Sequence, residues 1–141
     1  MADLNTTMIY PGDVTHDVLA MENGSLTDTY QADTAVPERI IAMTASSDDT
    51  TAVTLTVTRF TSTDVQGSTV ILTASPIPTL ANGGFLDVLP LLPWARQDAQ
   101  GNNYMPLAKG DKITVACDAI ASGKYVKVDV DATPYKLGSY T

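Results

Sequence analysis

The stretch TTAVTLTVTRF, residues 50–60, constrains the fold of this chain more than any other. Val53, Leu55 and Val57 fall on one side of an extended backbone, and Thr54, Thr56 and Thr58 fall on the other. Wound into a helix, the same residues would scatter around its circumference. The segment is therefore a strand with one oily face and one hydroxyl face. Similar alternation recurs further along. ERIIAMTAS predicts a strand with Ile41, Met43 and Ala45 on one face. KITVACDA puts Ile113, Val115 and Cys117 together, and YVKVDVD separates Val126, Val128 and Val130 from Lys127, Asp129 and Asp131. STVILTA is continuously apolar and β-branched, as expected of a strand covered on both faces. Shorter strands are expected at residues 18–21, 26–30 and 85–89. Turn signals such as SSDDT, STDVQG and ASGK separate these pieces at the spacing of an antiparallel sandwich or barrel. No segment has the period of a long amphipathic helix. LLPWARQ is expected to form a turn or two, with Pro93 in its first turn.

These patterns predict an all-β protein, an antiparallel β-sandwich (jelly-roll or Ig-like) of about seven to nine strands with an extended polar N-terminal arm. Residues 1–34 are expected to be that arm and residues 35–141 the sandwich. The arm is threaded with Thr, Asp and Asn, and Tyr10-Pro11-Gly12-Asp13 is a turn signal. Its apolar content is too small for independent folding, so it is expected along the body or along a neighbouring molecule. The opening MADLNTTMIYPGD has neither the basic nor the apolar region of a signal peptide, and synthesis in a cytoplasm is the expectation.

Charge and chemistry narrow the function classes. With 16 acidic and 8 basic residues the net charge is −8, which disfavours nucleic acid and anionic membrane surfaces as partners. The single cysteine, Cys117, permits no intrachain disulfide and is expected to be a small buried strand residue. The single histidine, His16, stands beside Asp17, but neighbours in a strand point to opposite faces, so a catalytic triad is not expected. Asp48–Asp49 and Asp129/Asp131 offer two carboxylates each, short of a calcium shell, and are expected to be turn and strand-edge charges. No glycine-rich phosphate loop opens a helix. Catalytic, cofactor-binding and metal residues are accordingly assigned to none, and an enzyme is not expected. The candidate partner interface comprises Met8, Ile9, Tyr10, Leu91, Leu92, Trp94, Tyr135 and Tyr140. Trp94 with Leu91 and Leu92 either closes the base of the core or forms a subunit contact. Exposed tyrosines are also able to stack on sugar rings.

RIIAMTASSDDTTAVTLTVTRF (residues 39–60), LAKGDKITVAC (residues 107–117) and the V-x-V-x-V strand at residues 126–130 together resemble a known pattern. They are similar to the small β-sandwich accessory proteins of tailed-bacteriophage virions, of the capsid decoration or cement type. The resemblance spans roughly half the chain, and its motifs are structural rather than catalytic. It implies a structural virion protein on the capsid exterior, a homotrimer binding across neighbouring copies of the major capsid protein. A neck, tail or head-fibre component is the alternative within this class. A carbohydrate-binding attachment module is the alternative from another class.

Overall fold

The structure is a computed structural model describing residues 7–11, 13–61 and 67–139, with side chains described for 13–61 and 67–135. Two antiparallel sheets pack face to face. The larger holds β1 (Thr7–Pro11), β2 (Thr15–Glu22), β4 (Glu38–Ser47), β7 (Phe85–Asp87), β8 (Arg96–Gln97), β9 (Asn103–Leu107) and β11 (Tyr125–Ser139). Its order is β1-β11-β4-β9-β8, with β2 also on β11 and β7 also on β4. The smaller sheet runs β3 (Thr27–Gln31), β10 (Lys112–Cys117), β5 (Val53–Phe60), β6 (Ser68–Ile77). Successive strands often change sheet: β2 to β3, β3 to β4, β4 to β5, β9 to β10 and β10 to β11. Side chains from both sheets thus meet in one core.

The all-β sandwich expected from the sequence is the observed architecture. The described residues hold eleven strands rather than seven to nine. The additions are β1, β8 and β9, of which β8 is only 2 residues long, too short for any period to register, whereas β7 falls within the strand expected at residues 85–89.

The oily faces supply the core as the alternation predicts. Val53, Leu55 and Val57 of β5, Ile113, Val115 and Cys117 of β10, and Val126, Val128 and Val130 of β11 are all buried. Full burial of such side chains stabilises by about 1.5–3 kcal/mol each. Two expectations are corrected. Ile41 does not share a face with Met43 and Ala45. Asp131 pairs with Ala42 and Ala132 with Ile40, so β4 carries one extra residue at Ile41. That bulge turns Ile40 inward and leaves Ile41 38% exposed. Nor is STVILTA covered on both faces. β6 is the edge of the smaller sheet, and Val70 is 54% exposed. Its register against β5 slips twice, and Ala74 adopts φ 42° with its N–H donating to Thr56 Oγ1 at 3.1 Å. Such irregularity blunts an exposed edge against further pairing.

The segment expected to be an arm is woven into the body from Thr15 onward. β2 pairs with β11 and β3 with β10, and Leu19, Met21, Tyr30 and Ala32 enter the core. Alternating Leu19 and Met21 supply enough apolar surface once β11 supplies the pairing. The turn signal at Tyr10–Asp13 does not reverse the chain. Pro11 pairs with Tyr135 and Thr15 with Ala132, so β1 and β2 follow the same edge of β11 with one residue extra. Gly12 itself, and most of the STDVQG turn, lie outside the described residues.

Much of the acidity closes loops. Asp48 accepts the Tyr125 amide, Asp49 those of Thr51 and Ala121, Asp118 that of Thr54, and Asp98 those of Gln100 and Asn102. Asp48 and Asp49 are therefore turn carboxylates committed to backbone donors.

Candidate interaction surfaces

β11 outruns its neighbour β4. Their last paired residues are Pro134 and Glu38, after which the Tyr135 amide donates to the Pro37 carbonyl at 2.9 Å. Beyond that point β11 pairs only with β1 among the described strands, in the register Pro11–Tyr135, Tyr10–Lys136, Ile9–Leu137, Met8–Gly138 and Thr7–Ser139. The result is a two-stranded antiparallel ribbon extending from the larger sheet. Two strands alone are marginally stable in water, and each outer edge presents backbone donors and acceptors to a further strand. At its root, the Arg39 guanidinium stacks 5.3 Å from the Tyr135 ring and 4.8 Å from that of Tyr104. Such cation–π contacts hold the ribbon's base against β4 and β9.

Four candidate interface residues, Met8, Ile9, Tyr10 and Tyr135, thus fall on one ribbon, the first three by backbone position. Tyr140 lies outside the described residues. Leu91, Leu92 and Trp94 lie elsewhere. Leu89–Leu91 forms a 3₁₀ turn with Pro90 near its start. Residues three apart share a face in such a turn, so Leu89 and Leu92 point inward and Leu91 outward. Leu92 is 3% exposed and has no surface to give a partner, which corrects its place in the interface set. Trp94 is half-buried and packs against the core.

The Arg59 guanidinium lies 4.8 Å from the Trp94 ring, and its Nη2 donates to Asp111 Oδ2 at 2.8 Å. Asp111 is 1% exposed and also accepts the Ala108 amide at 3.0 Å. A second buried polar pair joins Tyr30 Oη, as donor, to the carboxylate of Glu38. Burial first, then that carboxylate, raises the Tyr30 phenol well above its ordinary pKa. Neither pair was recognised from the sequence, although a signal exists. Arg59 continues the inward series 53, 55, 57, and Glu38 precedes inward Ile40 by two. A charge on the oily face demands a buried partner.

His16 pairs through Nδ1 with Asp131, and its Nε2 lies 3.3 Å from Asp129 Oδ1. Hydrogen bonding to Asp131, opposed by desolvation and aided by the charges of Asp131 and Asp129, raises the His16 pKa above 6.5. The carboxylates do meet the imidazole, but on an open sheet face where His16 is 55% exposed. Asp17, opposite Val130, takes no part. Cys117 is buried with Sγ 3.5 Å from Met21 Sδ, and burial pushes its thiol up to about 11, away from thiolate chemistry. Among the described residues no group of three or more His, Cys, Asp or Glu is arranged to hold a metal ion. No helix there is long and apolar enough to cross a membrane.

No protein-family model and no curated protein matches this sequence. Among solved structures, the infectious bursal disease virus VP2 subviral particle is similar at 11% identity over 96% of this chain, with a TM-score of 0.35. The Gx strain of the same virus gives 9% identity over 92% of this chain and a TM-score of 0.32. The Gt strain gives 11% over 96% and 0.28. The chain spans 36%, 37% and 44% of the length of these three chains respectively. Scores at this level carry no inference about function.

Proposed function

We propose that this chain is a structural, non-enzymatic virion protein. It binds the exterior of a tailed-bacteriophage capsid as a cement protein, with the ribbon of β1 and residues 135–139 as its contact element. The observation that carries this reading is the ribbon itself. It extends past β4 with edges that no other described strand pairs, and it gathers four residues the sequence marks as partner-facing. The phage-like strand motifs support the virion assignment, and the sandwich supplies the rigid body that presents the ribbon. Strand addition to the ribbon edge gives backbone hydrogen bonds across neighbouring major capsid subunits, and a homotrimer fits a three-fold capsid position. A protein that binds assembled shells and not free subunits shifts the equilibrium toward the shell.

The test is co-sedimentation with expanded empty shells lacking the protein. Full-length chain is expected to sediment stoichiometrically, and a chain lacking residues 2–11 is expected to stay in the supernatant while melting cooperatively. Equal sedimentation of both would remove the ribbon from the contact. A few copies per particle would instead support a neck or tail position.

A further inference from the structure

A groove of about 550 Å³ opens on the outer face of the larger sheet, between β4, β7 and the loop joining β8 to β9. That volume lies within the range of small-molecule sites, about 300–1,000 Å³. Three features of the fold build it. The bulge in β4 turns Ile41 outward into it. β7 directs half-buried Leu86 against the core, so Phe85 and Asp87 project the other way, and Phe85 is 62% exposed. Asp98 ties the loop through the Gln100 and Asn102 amides, each at 2.9 Å, and its own N–H donates to the Asn102 carbonyl at 3.0 Å. The site is shaped without a ligand.

The lining selects a ligand class. Phe85 and Ile41 form an apolar plate, which core packing does not explain. Also lining the groove are the Asp87 carboxylate, two residues along β7 from Phe85 and on the same face, and the Asn103 side-chain amide, neither with a side-chain hydrogen bond among the described residues. A wholly apolar ligand would bury these polar groups without partners. An anionic ligand would meet Asp87 and Asp98 against the single cation Arg39, which already stacks on two tyrosines. A neutral molecule with apolar faces and hydroxyl edges satisfies both halves. We propose that this groove binds a neutral carbohydrate, one sugar ring stacking on Phe85 while its hydroxyls bond to Asp87 and Asn103. This inference does not depend on the ribbon or on capsid binding.

The experiment uses the full chain alone on an array of bacterial and eukaryotic glycans, neutral, sialylated and sulfated. A retained neutral oligosaccharide is then titrated calorimetrically into the wild type, Phe85→Ala and Asp87→Ala. Neutral glycans are expected to be retained. Each substitution is expected to weaken binding by about tenfold or more while leaving the thermal midpoint unchanged, since both side chains are exposed. Retention of charged glycans only, of none, or binding undiminished in Phe85→Ala would overturn the proposal.

Discussion

Asp111 shows how much a single position decides. It is nearly inaccessible, and it holds Arg59 and the Ala108 amide at once. Removing one partner of a buried pair leaves the other charge uncompensated, so Asp111→Ala is expected to destabilise by about 3–5 kcal/mol in urea unfolding. A loss below roughly 1 kcal/mol would place Arg59 in water rather than in a buried pair. The titrating groups give a two-sided pH profile. Backbone donors hold the carboxyls of Asp49 (Ala121 foremost), Asp98 (Asn102) and Asp118 (Thr54) below the usual range. Their folded pKa values lie below the unfolded ones, so their stabilisation is present above about pH 4 and is lost as pH falls further. His16 has the opposite sign. Its raised pKa stabilises the fold fully below about pH 6.5, and this contribution disappears as pH rises through the folded value. Melting curves between pH 3 and 8, short of the range in which the unfolded Cys117 thiol ionises, are expected to fall steeply on the acid side and slightly on the alkaline side. His16→Gln is expected to remove the alkaline slope alone. At this scale the sequence announced the apolar positions, because alternation writes them directly. It did not announce which acids clamp which amides, because loop partners are distant in the chain: Asp49 with Ala121, Asp118 with Thr54.

Among elements, β5, β10 and the first half of β11 were legible because their registers keep a strict period of two. β4 was misread where its bulge breaks that period, since one inserted residue exchanges the faces, and β6, which also slips register against β5, because its place at the sheet edge leaves Val70 exposed where a continuous apolar run implies cover on both faces. Ala74 is the sharpest case, a non-glycine residue at φ 42° on an edge strand. A left-handed conformation costs an L-residue about 1–2 kcal/mol, so Ala74→Gly is expected to raise stability by up to about 1 kcal/mol after the entropy of glycine is set against it. Chemical denaturation checks this, and a destabilised variant would show that no strain resides there. The N-terminal strands divide by role. From sequence alone, truncation through residue 30 is expected to spare the sandwich. In the structure that cut removes β2 and β3, and with them Leu19, Met21 and Tyr30 from the core. Loss of residues 2–30 is expected to abolish the cooperative thermal transition, whereas loss of 2–11 is expected to preserve it. The polar composition of the segment hid this. Three or four inward residues suffice when neighbouring strands cover them.

For the whole molecule, the sandwich is two sheets packed on one core and the ribbon an unfinished sheet. The architecture was visible in the strand periods and turn spacing. The ribbon was not, because it depends on the relative lengths of β11 and β4, and length carries no periodic signal. Leu91, Leu92 and Trp94 form one apolar group in the sequence, yet Leu92 belongs to the core and Trp94 packs under Arg59. If the molecule works, as proposed, by adding strands and surface to an assembled shell, the direct measurement is the thermal midpoint of expanded shells against the concentration of added protein. Linkage gives about 2.7 kcal/mol of stabilisation at a hundredfold excess over the dissociation constant, so the midpoint is expected to climb steadily past saturation. A shell midpoint that stays fixed at every concentration would contradict the account.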